Sequence, residues 1–238
     1  MNKQKGILKL VVLSMLVALG VIISPLLRFE GMCPMAHFIN IICSVLLGPW
    51  YSLLCATLIG IIRMVIMGIP PIALTGAIFG AFLSGVFYRM SKGKIIFAVL
   101  GEIIGTGIVG AVLSYPVMTF FWGKEGLTWL FYVPSFICGT LIGGSIAYVF
   151  LRRLSSIGML TKFQQKLSGR CYEDKATYFS TAASFAAFGC ICYLVVEILT
   201  DIFKISSVFW SVISCTLLTG FIITGIVYYI VKKRGDKV

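Results

Sequence analysis

The chain has 238 residues, 59% hydrophobic and only 12% charged, with 20 Lys and Arg against 8 Asp and Glu. Apolar runs long enough to cross a bilayer recur along it, which excludes a soluble domain and requires membrane spans. The net charge of +12 does not signal nucleic acid, because the basic residues sit in short clusters between apolar runs, the pattern that sets orientation in a membrane.

Alternation at period two is absent, and backbone groups in lipid must be satisfied within each segment. The expected fold class is therefore an all-α integral membrane protein. A first helix is expected from about Ile7 to Leu27, behind Lys3, Lys5 and Lys9. It is too long for the apolar core of a signal peptide, and Ser24-Pro25-Leu26 is not a small-x-small cleavage site, so it reads as a retained helix. A polar break follows, with Arg28, Glu30, Gly31, Cys33 and Pro34.

Helix 2 is short, about Met35 to Leu47, and stops at Gly48-Pro49-Trp50. Helix 3, about Tyr51 to Ile69, contains Arg63 and ends before Pro70-Pro71, which cannot continue the hydrogen-bond ladder. Helix 4 covers about Ile72 to Met90, and helix 5 runs from near Ile95 to Pro116. A connection with Trp122, Lys124, Glu125 and Trp129 leads to helix 6, about Leu130 to Leu151.

Residues 1–153 thus read as a six-helix membrane domain and 154–177 as a basic cytoplasmic linker. Residues 178–238 read as a two-helix transmembrane hairpin, about Tyr178 to Thr200 and Val208 to Val231, with a basic tail. That makes eight spans. With the N-terminus inside, 16 of the 20 basic residues fall on inner segments. Arg28, Lys124 and Lys204 fall outside, and Arg63 lies within a span. The bias expects both termini on the cytoplasmic side of the cell membrane.

Eight cysteines lie mostly in apolar runs, with no CxxC pair and a single histidine. They read as buried free thiols rather than a zinc site. No G-x-S-x-G, H-E-x-x-H or Walker sequence is present. No enzyme activity, metal or cofactor is expected.

Helix 5 contains G-E-I-I-G-T-G-I-V-G-A-V-L-S-Y-P, from Gly101 to Pro116. Its small-xxx-small pairs, Gly101/Gly105 and Gly107/Ala111, predict two smooth faces for close helix packing. Glu102 and Thr106 share a face one turn apart, and an acid within a span marks a site or a paired charge. His37 and Asn40, at i and i+3, share a face of helix 2 and both donate and accept hydrogen bonds.

Counted from the inner helix ends, Arg63 lies at about 18 Å and Glu102 at about 10 Å. Two roles stay open for Arg63: a buried pair with Glu102, or the wall of an outer pocket. Tyr115 supplies an aromatic face at the outer end of helix 5, while Trp122 and Trp129 read as interfacial anchors. The candidate substrate-binding residues are His37, Asn40, Glu102, Thr106 and Tyr115. Ser14-x-x-x-Ala18 on helix 1 forms a small stripe suited to helix packing. An intramembrane enzyme using His37 and Glu102 as acid and base is the rival. It is disfavoured because His37 starts helix 2 outside while Glu102 lies on the inner half.

Three runs then stand out in order: H-F-I-N-I-I-C-S-V-L-L-G-P-W-Y (His37 to Tyr51), T-G-A-I-F-G-A-F-L-S-G (Thr75 to Gly85) and the Gly101 to Pro116 stretch. Over about Gly6 to Arg153 the chain resembles the ThiW family, substrate-binding S components of energy-coupling factor (ECF) transporters. The resemblance implies a six-helix bundle with an outward pocket for the thiamine precursor hydroxyethylthiazole, capped by the loop after helix 1. It implies docking onto a transmembrane coupling subunit and two cytosolic ATPases, with Ser14 and Ala18 at the coupling interface. Thr75-Gly76 departs from the Pro-Gly of the family, and Leu154 to Val238 has no counterpart in it. A neutral thiazole alcohol needs few hydrogen-bond partners and an aromatic face, so Arg63 is expected to hold the bundle together. The alternatives are an S component for another small vitamin or precursor, or a membrane scaffold.

Overall fold

Every described element is a helix, as backbone in hydrocarbon requires. The computed structural model describes residues 3–26, 28, 33–168, 171–172, 177–202 and 208–235. Helix α1 spans Lys3–Leu26, α2 Pro34–Leu47, α3 Pro49–Met67 and α4 Ile72–Met90. Helix α5 is continuous over Ile95–Phe121, α6 covers Val133–Ser156 and α7 is short, Met159–Leu167. Helices α8, Tyr178–Ile202, and α9, Val208–Gly235, complete the chain.

Among the described residues, α1, α3, α4, α5, α6 and α9 are long and apolar enough to cross a bilayer. The protein is an all-α integral membrane protein. Of the eight spans expected, α2 has only 14 residues, short of the roughly 20 that a bilayer core needs. The side chains of α8 lie partly outside the described residues.

Local sequence explains the breaks. Pro34 and Pro49 open α2 and α3 in the first turn, where a missing N–H costs nothing. Gly48, at φ +95°, makes the corner between them. Gly68, in the left-handed region, closes α3 before Pro70-Pro71.

Helix α5 departs from the expected form. Residues Ile103–Gly110 and Val117–Phe121 are π-helical, so the helix runs through Pro116 instead of closing there. Membrane helices tolerate an internal proline when a local π turn absorbs the lost hydrogen bond. The wider winding also rearranges the glycines. In a regular α-helix Gly101 and Gly110 fall about half a turn apart, at 3.6 residues per turn. Here Gly101, Gly105 and Gly110 all face α4. A Cβ on Gly101 would lie 2.5 Å from the Leu83 carbonyl oxygen, one on Gly105 2.5 Å from Gly80 Cα, and one on Gly110 2.8 Å from the Gly76 carbonyl oxygen. The two smooth faces predicted by small-residue spacing are present: Gly101 and Gly105, joined by Gly110, form a seam against α4, and Gly107 packs on Ile137 of α6.

Hydroxyl pairs tie α4 to both neighbours: Thr75 to Ser114 of α5 at 2.8 Å and Ser84 to Ser44 of α2 at 2.7 Å. Among the cysteines, Cys43 and Cys55 are fully buried, whereas Cys138 and Cys215 lie on exposed faces, so burial does not describe all of them.

The segment expected as a linker contains α7. Its Leu160, Gln164 and Leu167 are buried. The Gln164 amide donates to the Val45 carbonyl at 3.1 Å and to the Tyr88 hydroxyl at 2.8 Å, and its carbonyl accepts from the Tyr172 N–H at 3.2 Å. Val45 ends α2 and Tyr88 ends α4, so α7 closes that end of the bundle. The chain divides into two compact units, up to Asp174 and from Lys175. Within the second, α8 and α9 pack antiparallel, with Gly189 against Phe221 and Gly225 against Ala182.

Gly105→Ala is expected to lower the thermal midpoint in detergent, at a cost of about 1–3 kcal/mol for overpacking against backbone. Gly220→Ala, whose Cβ meets nothing within 4 Å, is expected to leave the midpoint unchanged or raised. Circular dichroism melts of the two variants check both.

Candidate functional site

Glu102 lies on α5 just before the π-helical segment and is completely buried. A buried carboxylate is costly unless donors converge on it. Three do, all on Oε1: His37 Nδ1 at 2.9 Å, Asn40 Nδ2 at 3.0 Å and Thr106 Oγ1 at 3.1 Å. Since Asn40 and Thr106 both donate to this oxygen, it acts as the acceptor and His37 donates from Nδ1. The Nε2 atom of the ring is then left for another partner.

The cluster needs backbone space. Gly80 on α4 abuts it, since a Cβ there would strike Thr106 Oγ1 and lie 2.8 Å from the Glu102 carboxyl carbon. Gly143 on α6 makes room for the first turn of α2: a Cβ there would strike the Pro34 carbonyl oxygen and lie 3.0 Å from His37 Cβ.

His37 and Thr106 also form part of an open pocket with a cavity volume of about 70 Å³. It opens where α2, α4 and α6 begin and α3 ends. Ile69, Ile72, Ala73, Ala77 and Phe136 make its walls mostly apolar, the usual character of a small-molecule site. Ala73, Gly76 and Ala77 share one face of α4, and the Phe136 ring fills the space above Gly76, 2.7 Å from where a Cβ would stand.

Four of the five candidate binding residues thus come together. His37 and Thr106 line the pocket, while Asn40 and Glu102 stand behind them. Tyr115 does not join: it lies outside the lining, its ring 4.5 Å from that of Trp129. Arg63 is 3% exposed and lines the pocket. Its Nη2 donates to Cys33 Sγ at 3.6 Å, and Glu102 pairs with His37 instead. The Arg63–Glu102 pair is therefore not formed.

The expected separation in depth between His37 and Glu102 is overturned by their 2.9 Å contact. The error lay in placing the start of α2 at the membrane surface. Because α2 is too short to span, its depth must be counted from Leu47, which puts Asn40 at about 10 Å and His37 at about 15 Å. Glu102, counted from Ile95, is also at about 10 Å.

Arg28, Ser135 and Phe136 were missed as pocket residues. The available signal for the last two was their place at the start of helix 6, at the same end of the bundle as His37. Ser14 and Ala18 line a separate open groove with Leu58 and Ile62, and the Ser14 hydroxyl donates to the Leu10 carbonyl at 2.9 Å. The loop expected to cap the pocket falls largely outside the described residues, Glu30 included.

Glu102→Ala is expected to destabilise the protein by about 3–5 kcal/mol, because it leaves buried donors from two helices without their acceptor. Glu102→Gln, which keeps one carbonyl oxygen, is expected to lose less. Thermal unfolding in detergent measures the difference.

The family model for the thiamine-precursor transporter protein (ThiW) matches residues 10–157. Among curated proteins and among solved structures, none matches the chain. The family is one of transporters, not of enzymes, and its model covers the bundle that carries both the pocket and the Glu102 cluster. The chain belongs to the ThiW thiamine-precursor transporter family and is a multi-pass membrane component of such transport.

Proposed function

We propose that the protein is the substrate-binding subunit of an ECF-type uptake transporter and that its substrate is a thiazole, hydroxyethylthiazole or a close derivative. The observation that carries this reading is the pocket itself: apolar walls over a polar floor made by His37 and Thr106. A flat heteroaromatic ring gains from burial against Phe136 and the small face of α4. His37 Nε2 and the Thr106 hydroxyl then offer hydrogen bonds to ring or side-chain heteroatoms. Glu102 and Asn40 orient those groups from behind, as a supporting shell does.

The distribution of positive charge supports both termini in the cytoplasm, with the pocket opening outside. Eight passes satisfy that orientation, with the short α2 returning the chain to the inner side from within the bilayer and α8 and α9 as a hairpin. Ser14 and Ala18 lie on an open, smooth groove, the kind of surface against which a partner helix packs closely. We assign this groove to the transmembrane coupling subunit, with two cytosolic ATPases supplying energy.

Calorimetric titration of the purified protein with hydroxyethylthiazole is expected to show saturable binding, weakened about tenfold or more in His37→Ala by loss of one buried hydrogen bond. A thermal-shift screen that finds another vitamin or precursor binding, and no thiazole, replaces the substrate while keeping the architecture. Ala18→Arg is expected to retain binding yet abolish uptake in membranes that contain the coupling subunit and ATPases. Uptake at the wild-type rate in that variant removes the assigned groove.

A further inference from the structure

Arg63 is a buried cation with no countercharge among the described residues. Among them its Nε atom has no hydrogen-bond partner, and the contact that Nη2 makes, to Cys33 Sγ, is with a weak acceptor. Among the described residues neither Arg63 nor Arg28 has an ion-pair partner. Other buried polar atoms also lack partners, namely Glu102 Oε2, Thr119 Oγ1 and Tyr132 Oη. Of these four groups only Arg63 belongs to the pocket lining. Arg28 joins it there from the exposed side.

A guanidinium keeps its charge in proteins. Burying it unpaired is expensive, and the usual remedy is a carboxylate or phosphate that its planar fork engages through two hydrogen bonds. The described part of the pocket has no carboxylate of its own in the lining, since Glu102 stands behind His37 and Thr106 with its bonded oxygen saturated.

We propose that the pocket takes its ring ligand in an anionic form, with a phosphate monoester or carboxylate held against Arg63 and Arg28. This rests on the thiazole reading above and adds the charge of the substrate to it. The ring occupies the apolar side beside Phe136, and the anionic arm points to the arginines. Arg63 is thereby a specificity-determining residue that favours the charged form over the neutral alcohol. The shared chemistry is an oxyanion, which a free small molecule or a lipid headgroup can supply.

The test uses the full chain, purified in detergent and in nanodiscs of either zwitterionic lipid or phosphatidylglycerol. It is titrated with hydroxyethylthiazole, its phosphate monoester, a thiazole carboxylate and inorganic phosphate. The anionic thiazoles are expected to bind at least about tenfold tighter than the alcohol, as charge-assisted hydrogen bonds imply. Arg63→Gln is expected to bring the ratio near one. Should Arg63→Gln fail to fold, Arg28→Gln, at an exposed position, is expected to reduce the same ratio.

Equal affinity for alcohol and anions, unchanged in both variants, overturns the charge preference and leaves the thiazole reading standing. Failure of every thiazole form to bind overturns both. Competition by phosphatidylglycerol nanodiscs against the phosphate monoester, lost in Arg63→Gln, assigns the arginines to a lipid headgroup and overturns the substrate proposal. Glu30 lies outside the described residues, and Glu30→Gln controls for it: a preference for anions that arises only in that variant shows the chain already neutralises its arginine, and overturns the proposal.

Discussion

One carboxylate oxygen within the membrane governs the centre of this bundle. Glu102 Oε1 accepts from two side chains of α2 and one of α5, so the two helices are pinned in register by polar contacts that lipid cannot replace. In a medium as apolar as the side chains themselves, hydrophobic burial does not hold helices together. Satisfied polar groups and close backbone packing do. The short α2 is held deep by its own His37 and Asn40.

The glycine seam is the complement of that cluster. Gly80 sits beside both Glu102 and Thr106, and it packs against Gly105 across the helix interface. The π-helical winding brings Gly101, Gly105 and Gly110 onto the side that meets α4, and the same stretch carries Thr106 to its place above Glu102. Wide winding, glycine contact and carboxylate satisfaction are thus one arrangement. A change in any of them strains the other two. π-helical turns recur at functional sites for this reason.

The pocket inherits an asymmetry from this construction. On its floor, His37 and Thr106 are hydrogen-bonding groups already committed on one side to Glu102. On its wall, Arg63 and Arg28 lack such commitments among the described residues. A floor of oriented hydrogen-bonding groups suits ring heteroatoms, and a cationic wall suits an oxyanion. A transporter of thiamine precursors gains selectivity from having both, since apolar walls by themselves discriminate poorly between molecules of similar shape.

The amino-acid sequence by itself determined the helical membrane class, the order of the helices and most of their ends. Hydropathy and proline and glycine punctuation act locally, and local physics is readable from one chain. It also singled out His37, Asn40, Glu102 and Thr106, because polar groups in apolar runs are conspicuous. Only the tertiary structure decided which of them meet. Depth counted along ideal helices misplaced His37, since nothing local reveals that α2 begins below the surface. Small-residue spacing divided the glycines between two faces, which meet α4 and α6, but the α-helical period does not anticipate that a π-helical winding brings Gly110 onto the side of Gly101 and Gly105. Tyr115 turning to Trp129, and Arg63 turning to the pocket instead of Glu102, likewise depend on where neighbouring helices stand. Partners across an interface are chosen by the three-dimensional packing, which spacing along one helix does not encode.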